Sequence, residues 1–166
     1  MKINKIVMII IGLVTCFTLS NANASWIDWT STNTGTILVN GITANVSMTH
    51  PASGVSLING NTYYSGYPAT YDNLNPSDLI QVSGTGTFTL TFDQALVDPY
   101  MAMVSVGQPN YGVTYSFNDP FTVVSSGPNQ WGPGSYSVTG NDFTGNEFSG
   151  ILQFSGSFTS ISFTVN

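Results

Sequence analysis

The chain has 166 residues, of which 2 are Lys or Arg, 8 are Asp or Glu and 1 is His, giving a formal charge of −6 at pH 7. Both cations, Lys2 and Lys5, stand at the N-terminus, so the rest of the chain cannot neutralise phosphates, form a Schiff base or clamp a phosphoryl group, and nucleic acid is not an expected partner. A hydrophobic fraction of 42% with 13% aromatics predicts a packed core, and a charged fraction of only 6% leaves solubility to Ser, Thr, Asn and Gly.

In chain order, Lys2 and Lys5 precede the apolar stretch Ile6 to Leu19 and then Asn21-Ala22-Asn23-Ala24. A short basic region, an apolar region below the ~20 residues of a spanning helix, and small residues before a cut site make residues 1–24 a signal peptide, cleaved after Ala24. The sequence Leu13-Val14-Thr15-Cys16 is near a lipobox, which would make a lipidated Cys16 the first mature residue, but Thr precedes the Cys where Gly, Ala or Ser is expected, a poor match. Cys16 therefore leaves with the leader, and no disulfide supports the remainder. What remains, 25–166, is one domain by length, has no membrane anchor of its own and carries a formal charge of −8.

No stretch of that domain has a helical pattern. Asn40-Gly41 lies between Thr36–Val39 and Ile42–Met48, and Asn59-Gly60 between Val55–Ile58 and Thr62–Tyr64, the signal for type I′ hairpin turns. From Thr85 to Phe92, Thr alternates with Phe88, Leu90 and Phe92; Val113–Phe117 and Thr159–Val165 alternate likewise. Each predicts a strand with one buried and one wet face. Tyr100–Val106 is apolar throughout and reads as a central strand, with Phe121–Val124 and Gly150–Phe154 as shorter examples. The Thr row of 85–91 has the form of an ice-binding row, but a single such strand is ordinary on a wet sheet. Short strands separated by Gly, Pro and Asn predict an all-β fold, an antiparallel two-sheet β-sandwich of jelly-roll-like form.

Several segments carry a resemblance. They are Trp26–Thr30, Phe92–Pro99, Ala102–Pro109, Val113–Phe117 with Pro120-Phe121, and Gly145-Asn146-Glu147 running into Gly150–Phe154 and Phe158–Phe163. In this order they resemble the ectodomain of PEP-CTERM-type exported proteins of Gram-negative bacteria. The chain departs from that pattern at its end, Thr164-Val165-Asn166, where a sorting tail would stand. The resemblance implies a secreted, surface or matrix protein, often of bacteria that make exopolysaccharide, and no defined activity.

The chemical inventory narrows function further. His50 is the single His and no Gly-x-Ser-x-Gly elbow accompanies it, so a nucleophilic triad is not expected. Zinc lacks ligands. Calcium takes oxygen ligands alone, and two clusters supply them: Asp72, Asn75 and Asp78, and Asp142 with Glu147. A small carboxylate-dependent glycoside hydrolase would have to draw on Asp93, Asp142 or Glu147, although no strand sets paired carboxylates on one face. Neutral sugars need aromatic platforms and amides, not cations. Tyr63, Tyr64, Tyr67 and Tyr71 share one Gly- and Pro-containing stretch, and Trp131 and Tyr111 each stand among turn residues. The expectation is a non-enzymatic extracellular protein that binds polysaccharide, with a self-associating structural subunit as the alternative, because an uncharged β-rich chain has no Lys to blunt its sheet edges.

Overall fold

The computed structural model describes residues 7–13, 25–59, 78–128 and 132–166, and every regular element in them is a β-strand. In chain order they are β1 (Val7–Leu13), β2 (Ser25–Trp26), β3 (Asp28–Trp29), β4 (Thr34–Val39), β5 (Ile42–Thr49), β6 (Val55–Asn59), β7 (Asp78–Val82) and β8 (Gly86–Val97). There follow β9 (Tyr100–Val106), β10 (Val113–Phe117), β11 (Phe121–Ser126), β12 (Ser135–Thr139), β13 (Asp142–Asn146), β14 (Phe148–Phe154) and β15 (Ser157–Val165). One sheet runs β11-β14-β9-β1-β7-β6, with β2 paired to the end of β1, and the other runs β12-β13-β10-β15-β8-β5-β4-β3.

From β8 onward the chain changes sheet at nearly every strand. This sets the order β8-β15-β10-β13 against β9-β14-β11, with the first strand beside the last and the second beside the one before it, as in a jelly roll. All pairings between strands are antiparallel. The sandwich form follows from the alternation already visible in the chain. Phe88, Leu90 and Phe92 of β8 meet Ile161 and Phe163 of β15 and Tyr115 and Phe117 of β10 in one core between the sheets. The Phe88 and Phe163 rings stack at 5.1 Å, and Phe117 meets Phe154 edge-on at 5.3 Å. On the outer face the hydroxyls pair across strands, Thr87 with Thr164 at 3.0 Å and Thr89 with Ser162 at 2.9 Å.

The first Asn-Gly turn is as expected: Asn40 and Gly41 both have positive φ, 51° and 80°, between β4 and β5. The second falls at residues 59–60, where Gly60 and residues 62–64 lie outside the described residues; β6 pairs with β7. One expectation is corrected. Phe121–Val124 belongs to an edge strand, β11, whose residues alternate between half-buried and exposed. The apolar run hid this because Val124 faces outward. The cluster of Asp142 and Glu147 flanks a strand, β13 over residues 142–146, and β12 pairs with it across Gly140-Asn141. Short hydroxyl-rich strands such as these lack an apolar period strong enough to read.

The N-terminal segment occupies an unexpected place. β1 pairs with β9 over Met8–Gly12 and with β7 over Val7–Ile9. Removal of residues 1–24, as the sequence leads one to expect, would leave β9 and β7 as facing edges about 10 Å apart.

Tyr115 marks a cost inside the core. Its hydroxyl is buried with no hydrogen-bond partner, and burial holds the phenol well above its ordinary value of 10.0. Tyr115→Phe is expected to stabilise the fold by about 1 kcal/mol, since it removes an unpaired buried polar group. The unfolded phenol loses its proton near pH 10 while the folded one keeps it, so the wild type loses stability as pH rises above 10. Urea titrations of both proteins at pH 8 and above pH 10 should show the gap between them widening with pH.

Candidate functional site

Five strand ends converge at one end of the sandwich: the close of β9 and β13 and the start of β10, β12 and β14. Register ties them together, with Phe148 opposite Val106, Val113 opposite Gly145, and Ser135 opposite Asn146. Between β9 and β10 the chain makes a tight turn. Gln108 N–H donates to the Tyr111 carbonyl and Tyr111 N–H to the Gln108 carbonyl, both at 2.9 Å. Pro109 followed by Asn110 at φ 67° has the order of a type II turn. This turn holds Tyr111 outward, 74% exposed, the most exposed large apolar side chain among the described residues.

Pro109 and Asn110 form one wall of a cleft of about 500 Å³. Residues 132–135 form the other wall, and Asn146 and Glu147 lie between. A second cleft of about 300 Å³ lies on the far side of Pro133–Ser135, against Ser126, Tyr136 and Phe148. Glu147 supplies the one charged residue of either lining.

Glu147 is also the residue through which the chain passes from β13 in one sheet to β14 in the other. It does so with φ 54°, and Ser105, on the bulged stretch of β9, has φ 53°. The two are bound together: Ser105 Oγ donates to Glu147 Oε2 at 2.8 Å, while Ser105 N–H donates to Ser149 Oγ at 3.1 Å. All three residues are buried, Glu147 to 3% exposure. Left-handed backbone costs a non-glycine residue about 1–2 kcal/mol, and such strain persists where neighbouring structure fixes it. Here the Ser105–Glu147 bond ties both left-handed residues to each other. The signal in the sequence was Ser105 just before Gly107 in an otherwise apolar strand, a mark of a bulge.

Of the aromatic candidates, Tyr111 is exposed on the turn whose Pro109 and Asn110 line the larger cleft. Trp131 lies outside the described residues, one residue before the cleft-lining Gly132; Tyr63, Tyr64, Tyr67 and Tyr71 also lie outside them. Of the calcium candidates, Asp72 and Asn75 lie outside them, and Asp78 opens β7. Asp142 and Glu147 stand at opposite ends of β13, about 16 Å apart by strand rise, so one ion does not join them. Among the described residues no group of three or more His, Cys, Asp or Glu is arranged to hold a metal.

The carboxylates considered for hydrolysis are likewise dispersed. Asp93 and Asp142 are separated by three strand spacings and six residues of rise through Thr87, Thr164 and Ser116, about 25 Å, against the ~5–9.5 Å of paired glycosidase carboxylates. Asp93 instead accepts hydrogen bonds from Asn45 N–H at 2.9 Å and Asn45 Nδ2 at 2.7 Å, extending the β5–β8 pairing by a side chain. Asp98 caps a turn, accepting from Gly156 N–H at 2.7 Å. His50 follows β5, its Nδ1 2.6 Å from the Pro51 carbonyl and its ring against Phe88.

These features define the class: an all-β antiparallel sandwich with a cleft at one end whose lining carries a single charged residue, Glu147. Beyond the class, no protein-family model, curated protein or solved structure matches this chain.

Proposed function

We propose that this is an exported, non-enzymatic protein of the bacterial surface or extracellular matrix that holds a neutral glycan chain in the cleft beside Tyr111. The observation that carries the reading is the Tyr111 ring, 74% exposed on a turn locked by two hydrogen bonds, whose Pro109 and Asn110 wall a cleft of about 500 Å³. A sugar presents a flat apolar face and a rim of hydroxyls. An exposed ring suits the face, and the Asn110 and Asn146 amides with the Ser135 hydroxyl suit the rim. Recognition of this kind needs no cation, and from Ser25 onward the chain has none. Trp131, one residue before the Gly132 wall in sequence, is a second aromatic candidate. The basic-apolar leader supports export, and the likeness to PEP-CTERM-type ectodomains supports a surface or matrix address.

The test is affinity electrophoresis through gels that hold neutral or acidic polysaccharides. The wild type is expected to be retarded by a neutral glycan and Tyr111→Ala to bind at least about tenfold more weakly, since 1.4 kcal/mol of stacking is a factor of ten. Its circular dichroism and thermal midpoint should not change, because the side chain is exposed. Equal retardation of variant and wild type, or no retardation in any neutral glycan, rejects the reading.

A further inference from the structure

We propose that the protein forms a twofold dimer in which β12 of one copy pairs antiparallel with β12 of a second, joining two sheets into one. This goes beyond glycan binding and rests on the outer edge of β12, which shares only Ser135 with the lining of the larger cleft.

β12 is the outer strand of its sheet. It pairs with β13 in unbroken register from Ser135 opposite Asn146 to Thr139 opposite Asp142, and among the described residues nothing pairs with its other side. All five of its residues are exposed. A bare edge is a template for another strand, and proteins blunt such edges with charge, Pro, bulges or shortness. Two other edges show these devices: β3 has two residues and carries exposed Asp28, and β11 has a register break between Val123 and Ser125; β6, Val-Ser-Leu-Ile-Asn, lacks them too, but a twofold axis at its centre would set Ser56 against Ile58 and Val55 against Asn59, which is no matched pairing. β12, Ser-Tyr-Ser-Val-Thr, has none of them.

The strand is also complementary to itself. A twofold axis at Ser137 sets Tyr136 opposite Val138 of the second copy, and Val138 opposite its Tyr136. Aromatic and β-branched residues facing one another stabilise antiparallel pairs. These two are the large apolar side chains β12 exposes, 43% each. Tyr136 already packs on Phe143 at 5.8 Å and Phe148 at 5.1 Å, so the new pair would prolong the existing core. On the other face Ser135 meets Thr139 of the second copy and Ser137 meets its counterpart. The sheet already makes such hydroxyl pairs, Thr114 with Thr144 at 2.8 Å and Thr87 with Thr164 at 3.0 Å.

Charge does not oppose this contact. The closest carboxylate in the sheet, Asp142, lies opposite Thr139, one strand in. The two Asp142 side chains of such a dimer would be about 20 Å apart by strand spacing and rise, beyond two Debye lengths of ~8 Å at physiological salt. Isologous pairing of this kind closes on itself, so the assembly stops at two.

Sedimentation velocity on the exported protein tests it with Ser137→Lys and Ser137→Asp, which place like charges face to face at the axis. The wild type is expected to dimerise with rising concentration, and each variant alone to associate at least tenfold more weakly. An equimolar mixture of the two variants should recover the dimer, because Lys then faces Asp; a folding defect would not be rescued in this way. A wild type that stays monomeric up to roughly 1 mM, the weak end of the affinity scale, overturns the proposal. So does a dimer that both variants keep, or a mixture that behaves as its separate components do. Retardation by neutral glycan should be unchanged in both variants, which separates a failure here from a failure of the cleft beside Tyr111.

Discussion

Phe163→Ala is expected to remove about 3–5 kcal/mol of stability, a large share of the ~5–15 kcal/mol that holds a domain folded. The Phe163 ring is 1% exposed and lies at the centre of the aromatic core. It stacks on Phe88 at 5.1 Å with planes 4° apart, and its centroid is 5.6 Å from both Tyr115 and Phe117. Those rings sit on β8 and β10, the two neighbours of β15 in its sheet, and the surrounding backbone is fixed by pairing on both sides. A cavity at Phe163 therefore cannot collapse cheaply, which puts the cost toward the upper end of the range. Phe158 lies on the same strand but is half-buried and meets Phe154 at the margin, edge-on at 6.2 Å. Phe158→Ala should cost less than half as much. Urea unfolding of the two variants, with unchanged slopes and separated midpoints, checks the ordering; equal midpoints would mean that the core is not centred where the rings place it. With no cysteine after Cys16, no disulfide adds to this core, so a single ring weighs heavily.

The parts of the fold that could be read from residues alone were those in which one face is apolar. Phe88, Leu90 and Phe92 alternate with threonine, and β8 follows them with the apolar side inward. The Asn40-Gly41 turn needs positive φ at two consecutive positions and uses residues that tolerate it. The edges were harder. β12 has Tyr136 and Val138 on one face, but neither is deeply buried, so its alternation is diluted by flanking Ser and Gly. β11 looked central because Phe121, Val123 and Val124 are apolar together, but ordinary alternation after the inward Val123 leaves Val124 facing outward on an edge, and an apolar residue on the wet face hides that alternation in hydropathy. At the candidate site, Tyr111 was legible because a ring between Pro, Asn and Gly has no strand to bury it. The Ser105–Glu147 bond was not. It joins residues 42 positions apart, and only the sheet-to-sheet crossing at Glu147 brings them together.

Gly107→Ala should be the most damaging small substitution at the cleft, costing about 3 kcal/mol or more and weakening glycan binding as Tyr111→Ala does. Gly107 has φ 78°, where alanine bears an intrinsic cost of about 1–2 kcal/mol. The larger part is steric. A methyl group at this position would overlap the Gly145 carbonyl and stand 2.9 Å from the Tyr111 carbonyl oxygen. Both obstacles are backbone, so relief requires β13 or the Pro109-Asn110 turn to move. Moving the turn displaces Tyr111 together with the Pro109-Asn110 wall of the cleft, which couples the stability defect to the binding defect. Gly41 supplies the control. It has a similar φ of 80°, but an added methyl there meets nothing within 4 Å. Gly41→Ala should therefore show the conformational cost alone and bind glycan as the wild type does. The difference between the two alanine variants in urea midpoint isolates the collision with Gly145. If the variants unfold together, the close approach of β13 to the β9–β10 turn is not what requires glycine. If Gly107→Ala is destabilised yet binds normally, the turn tolerates displacement, and the locked position of Tyr111 is not what recognises the sugar.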